Sequence, residues 1–167
     1  MTMADERTRA LRFGWKFLLE MRDADCLTNE QRANVEEILR HYPSGAKIKQ
    51  WALECLQTAD QSMFHGPELA PEDPRTRYPH ENSFSQSIKR GPTTPWERAT
   101  ALRQAFELFR FGLSGGENLT DKLRRQIPYV LRHFPDIREI EQWARADEHN
   151  AKRDPAFRVW LLPEVKT

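Results

Sequence analysis

The sequence predicts an all-α protein: two tandem three-helix repeats, related by a pseudo-twofold axis and joined by a proline-rich linker. Three observations carry that expectation. The phrase ILRHYPSGAKIKQWA, beginning at Ile38, returns as VLRHFPDIREIEQWA, beginning at Val130. Apolar residues outside the middle of the chain recur at helical spacing. Several of the apolar segments also open on helix-capping signatures.

The repeat can be followed residue by residue. At an offset of 91, Glu6, Arg7, Ala10, Leu11 and Arg12 match Glu97, Arg98, Ala101, Leu102 and Arg103. At an offset of 92, Leu27, Thr28, Arg32, Leu39, Arg40, His41 and Pro43 match Leu119, Thr120, Arg124, Leu131, Arg132, His133 and Pro135. Ile48, Gln50, Trp51 and Ala52 match Ile140, Gln142, Trp143 and Ala144 at the same offset. The offset changes once, where a loop can absorb one residue. Each unit is roughly 50–55 residues long, and internal self-similarity at a fixed period signals structural repetition.

Each unit reads as three helices. The first spans about Asp5 to Arg22, with Leu11, Trp15 and Leu18 on one stripe. Its counterpart opens at Thr94-Pro95-Trp96-Glu97: a capping threonine, a proline at the first helical position and a glutamate able to close a capping box. The second helix opens at Thr28, with Gln31 three places on, or at Thr120. It stops before Pro43 or Pro135, because a residue preceding proline avoids the helical region. Pro128 falls inside the second copy of this helix and should kink it. The third helix starts at Ser44 or Asp136 and buries Ile48, Trp51 and Ala52, or Ile140, Trp143 and Ala144.

These boundaries divide the chain into repeat 1 (residues 1–57), a linker (58–92), repeat 2 (93–149) and a C-terminal apolar arm (150–167), whose AFRVWLLPEV stretch from Ala156 is expected to pack. The linker contains Pro67, Pro71, Pro74, Pro79 and Pro92 with Gly66 and Gly91. A three-helix unit of this size is marginal alone. Two copies can cover each other's apolar stripes as homodimers do, so the chain is expected to be a monomer with an internal pseudo-dimer.

Composition narrows function more than it identifies it. The 167 residues carry a formal net charge of +1, with 31% charged and 38% hydrophobic residues. That balance argues against a general polyanion binder, which needs surplus lysine and arginine. Two cysteines, Cys26 and Cys55, are too few for a disulfide scaffold or a cysteine-rich zinc module. With no signal-like opening and no apolar run approaching 18 residues, a cytoplasmic protein is expected.

No catalytic motif stands out: P-loop and G-x-G-x-x-G patterns are both missing. LSGGEN, from Leu113 to Asn118, lacks a nucleotide-binding context and reads as a helix–helix loop. His41 and His133 alone do not make a tetrahedral zinc site; His149, Cys26 or a carboxylate would have to complete it. Neither a metal nor another cofactor is therefore expected, and no enzyme activity. Helix–turn–helix outlines suggest DNA, but Glu139 and Glu141 on the would-be recognition helix repel phosphate. Nucleic acid is accordingly a weaker reading than a protein partner, and no membrane is expected.

What recurs most is arginine. Arg7, Arg12, Arg32 and Arg40 reappear as Arg98, Arg103, Arg124 and Arg132, while Lys16, Lys47 and Lys49 give way to Glu107, Glu139 and Glu141. Two causes are open: internal ion pairs that fix helix packing, or a ligand surface, where arginine is enriched. The expected binding residues are these eight arginines with His41 and His133, in a non-catalytic module that recognises a protein through an arginine-rich helical face.

DERTRAL from Asp5, followed by ILRHYPS and an aromatic-containing third helix, resembles a family of short proteobacterial helical proteins of the pseudomonad and Burkholderia type. The resemblance is strongest over residues 1–57 and returns diluted over 93–146. It implies a bacterial, cytoplasmic origin and assigns no catalytic or binding residue. Small proteins of this kind often travel on mobile elements, so an inhibitor of a host or defence complex is an alternative function.

Overall fold

The computed structural model describes residues 2–59, 69–71, 93–115 and 118–163. Among them are six α-helices: α1 (Ala4–Asp23), α2 (Asn29–His41), α3 (Gly45–Ala59), α4 (Pro95–Leu113), α5 (Asp121–Leu131) and α6 (Ile137–Arg153). The protein is all-helical over this range, and none of these helices is long and apolar enough to cross a membrane.

The starts follow side-chain chemistry. Thr28, Thr94 and Asp136 each accept from the backbone N–H three residues on, and Gln31, Glu97 and Glu139 reach back to the capping N–H groups. These reciprocal bonds satisfy amides that the helix itself leaves without acceptors. Thr120 accepts from Leu123 N at 3.3 Å. α5 carries on through Pro128, whose ring faces solvent, and ends at Leu131. The corresponding helix α2 runs to His41, two residues further by the 92 offset.

α1 buries more than its expected stripe: Phe17, Leu19 and Met21 are buried beside Leu11, Trp15 and Leu18. The reason is that it is contacted by α2, α3 and α5. α4 is likewise contacted by α5, α6 and α2. Helices α1, α2, α4 and α5 thus close a ring of contacts, with α2 and α5 at diagonal corners; α3 packs on α1 and α6 on α4. Gly14 of α1 lies close against Tyr42 and Phe134. A methyl group there would stand 2.7 Å from Tyr42 Oη and 2.8 Å from Phe134 Cε2.

Part of the segment expected as linker takes part in the core, and the C-terminal arm packs as its apolar composition implies. α3 extends to Ala59, into the expected linker, and α6 extends to Arg153, into the expected arm. Leu69 is fully buried, and Thr8 Oγ1 donates to Ala70 O at 2.7 Å, so residues 69–71 lie against α1. Trp160 and Leu161 are buried too, and Leu162 N donates to Pro95 O at 3.3 Å, so the tail lies against α4. The rest of the expected linker (60–68 and 72–92) and residues 164–167 of the arm lie outside the described residues.

Candidate functional site

The ten residues expected to bind a partner do not share one environment. Arg12 is 5% exposed. Arg32 donates to the carbonyls of Arg22 and Ala24, and Arg124 to Gly112 O at 3.1 Å. Both guanidinium groups therefore sit on carbonyls at the C-terminal ends of α1 and α4, where the helix leaves acceptors without donors and favours a cation. Arg98 donates to Trp160 O at 2.8 Å, Thr93 O at 2.9 Å and Val159 O at 3.3 Å, tying the arm to the start of α4.

Arg7 reaches from α1 to Glu139 of α6 at 3.4 Å and lies 5.9 Å from the centroid of the Trp143 ring. Arg103 approaches Glu141 at 3.5 Å and Thr100 Oγ1 at 3.3 Å. The charge differences noted between the two copies thus have packing consequences. Glu139 and Glu141, which stand where the first copy has Lys47 and Lys49, are the carboxylates that receive Arg7 and Arg103.

His41 places Nδ1 3.1 Å from Thr93 Oγ1 and 3.8 Å from Glu97, and Nε2 3.7 Å from Glu37. His133 Nδ1 lies 3.7 Å from Glu6. Each histidine therefore faces the glutamate near the start of the other half's first helix. The Met3 backbone N–H, at 2.8 Å, holds Glu6 below the usual carboxylate range, aided by His133 and Arg132. The Thr94 backbone N–H, at 2.7 Å, does the same for Glu97, aided by His41. Among the described residues no three His, Cys, Asp or Glu side chains gather so as to hold a metal ion.

Only Arg40 and Arg132, 92 residues apart, are exposed among the eight arginines. Arg40 pairs with Glu37 at 2.8 Å. Arg132 ends a face of α5 whose other solvent-facing residues are Asp121, Lys122, Arg125, Pro128 and Tyr129. Tyr129, at 76% exposed, is the most open large hydrophobic side chain among the described residues. Neither Lys122 nor Arg125 has an ion-pair partner there. A large amphipathic ring beside uncommitted cations is a surface composition favoured in protein recognition. Comparison of the repeats gave no sign of this face, because its residues differ from their counterparts Asn29, Glu30, Ala33, Glu36 and Glu37.

A second cluster holds the arm. Trp160 Nε1 donates to Glu54 of α3 at 2.6 Å, and its ring stacks on Trp51 with centroids 5.7 Å apart. Arg158 lies 4.9 Å from the Trp160 centroid and 3.1 Å from Glu54. Asp147 accepts the backbone N–H groups of Trp160 and Leu161 at 2.7 and 2.9 Å. Burial raises Asp147 to about 6 against the opposing pull of those two N–H groups and Arg98. The signal for this arm is present in the chain. Leu69-Ala70-Pro71-Glu72 and Leu161-Leu162-Pro163-Glu164 keep the 92 offset, so the repetition extends beyond the third helices.

No family model matches the chain, and no curated protein or solved structure matches it.

Proposed function

We propose that the protein is a non-catalytic protein-binding module, built by tandem duplication about a pseudo-twofold axis and working through the basic, aromatic face of α5. The duplicated architecture is supported by reciprocal contacts. α1 meets α5 as α4 meets α2. Trp15 stacks with Tyr42 at 6.3 Å and 18°, and their counterparts Phe106 and Phe134 at 6.4 Å and 16°. His41 faces Glu97 as His133 faces Glu6. Trp51 touches its own counterpart Trp143, as residues beside a twofold axis do. A bacterial source, as the likeness of DERTRAL and LRHYP to proteobacterial proteins implies, belongs to the same proposal.

The single observation that carries the binding reading is Tyr129, open to solvent between Arg125 and Arg132. Most of the repeated arginines are engaged with backbone carbonyls or carboxylates of the fold, which favours the internal explanation for their recurrence. A photo-reactive residue at position 129, compared with one at the exposed Gln142 of α6, tests the reading in the native cell. Protein adducts formed from 129 and not from 142 are expected. Adducts from 142 alone, or adducts from 129 to nucleic acid alone, would overturn it.

A further inference from the structure

The α5 face has a counterpart of opposite charge on the same molecule. α2 and α5 occupy diagonal corners of the helix ring, and their exposed positions coincide at the 92 offset except that Asn34 is exposed and Gln126 half-buried. Where α5 exposes Lys122, Arg125 and Tyr129, α2 exposes Glu30, Ala33 and Glu37; Glu36 stands opposite Pro128. One corner carries a lysine and two arginines with one aspartate, the other three glutamates with one arginine. Arg40 occupies Glu37, whereas Glu30 and Glu36 have no ion-pair partner among the described residues.

The corners also differ in shape. Between α2 and α4 lies a groove of about 470 Å³ lined by Asn34 and Ile38 of α2 and by Arg103, Gln104, Glu107, Leu108 and Phe111 of α4, its Arg103 paired with Glu141. Phe111 is 53% exposed. At the matching place between α5 and α1, Gln126 donates to Glu20 at 2.9 Å, and Lys16 pairs with Glu20 at 3.5 Å. That polar bridge spans the second site. Asn34 is one methylene shorter than Gln126, and Phe111 stands where Glu20 would be, so no such bridge forms in the first. Divergence has left an open apolar groove beside the acidic face and a projecting tyrosine on the basic one.

We propose that these two faces fit each other: the α5 face of one molecule docks on the α2 face and α2/α4 groove of a second copy of this chain. The inference rests on the protein-binding reading above and names the partner. Tyr129 enters the groove over Phe111, with Lys122, Arg125 and Arg132 against Glu30, Glu36 and Glu107. The two patches differ, so the contact is head-to-tail, leaves a free face at each end and builds chains rather than a closed dimer. With one helix face on each side, the interface is small and the association weak and salt-sensitive.

Light scattering coupled to gel filtration, on the full chain, tests this from about 10 μM to about 1 mM, the range suited to a small transient interface. At low salt the mean mass is expected to climb steadily above 19.7 kDa and to fall back in salt that screens surface charge. Arg125→Glu with Tyr129→Ala removes one face, and Glu30→Arg with Glu36→Arg removes the other. Each double variant alone should stay at the mass of one chain. Mixed in equal amounts, they retain one intact face each and should form a 1:1 complex that grows no further. All four positions are solvent-facing, and unchanged melting curves verify folding. A wild-type chain that stays monomeric throughout would overturn the proposal. So would a dimer that survives either variant, or a mixture that does not associate. If the chain is monomeric yet position 129 still cross-links to another protein, only the self-association falls. If position 129 cross-links to nothing, the binding reading falls with it.

Discussion

Trp51 and Trp143 meet edge to face, with ring centroids 5.9 Å apart and planes at 88°. They occupy the same position in the two QWA phrases, on α3 and α6, so the repeated tryptophan is one side of its own contact. Trp51 is 1% and Trp143 6% exposed, and Trp51 also stacks on Trp160. Replacing either by Ala is expected to cost about 3–5 kcal/mol in urea unfolding. The double replacement should cost less than the sum of the two, because the pair shares one contact worth about 0.5–1.5 kcal/mol. Near-native stability of either single variant would refute the assignment.

Gly14 tests the packing at the crossing of the two halves. In an open helix, Gly→Ala would stabilise by about 1 kcal/mol. Here the added methyl meets Tyr42 Oη, which is held by its bond to Leu11 O at 2.7 Å, and Phe134 on another side. Gly14→Ala is therefore expected to destabilise by about 1–3 kcal/mol, as overpacking does. Adding Tyr42→Phe should recover part of that loss, and a Gly14→Ala chain that melts above wild type would contradict the packing described.

The arginines divide into two classes that thermal melting can separate. Arg32→Ala removes bonds to two carbonyls at the end of α1 and should cost about 1.5–3 kcal/mol, the range for charged hydrogen bonds. Arg132→Ala, on the exposed face, should stay within about 0.5 kcal/mol of wild type. Equal effects from the two would remove the distinction on which the choice of α5 rests.

Asp147 gives the fold a pH dependence of defined sign. Its folded value of about 6 lies above the ordinary 3.8 of an aspartate, so the folded chain keeps a proton that the unfolded chain has released between those values. By linkage, stability then falls as pH rises through that window, by an amount on the order of 3 kcal/mol. Glu6 and Glu97, held below 4.5, act in the opposite direction at lower pH: their contribution is lost as pH falls through their folded values. Urea unfolding of wild type between pH 4.5 and 6.5 should show the decline, and Asp147→Asn should flatten it. An identical slope in the variant would show that Asp147 is not its source.

The helices were legible because their starts are written locally: Thr28, Thr94, Thr120 and Asp136 cap through their own side chains within three residues. The tryptophans were legible as core because the QWA phrase repeats with its apolar neighbours. Two features were obscure for physical reasons. The function of a repeated arginine depends on which helix it leans against, so Arg32 on a carbonyl and Arg132 in solvent look alike in the chain. The arm was legible as apolar and packed, but its docking place was not, because its partners lie far along the chain, Trp160 with Glu54 across 106 residues, and its repeat signal has only three identities. The α5 face escaped for a third reason: its character lies in residues that changed between the copies.

In the proposed function the repeated arginines other than Arg40 and Arg132 hold the fold, and the α5 face meets the partner. Quantitative capture from native lysate, measured beside melting temperature, addresses this most directly. It requires two variants: Arg125→Glu with Tyr129→Ala, and Arg12→Glu with Arg103→Glu. The first pair should lose what its α5 face holds, keeping only copies of the chain bound at its intact α2 face, while melting as wild type does, and the second should lose stability. Capture undiminished in the first pair, or a second pair that melts normally yet captures nothing, would contradict the account.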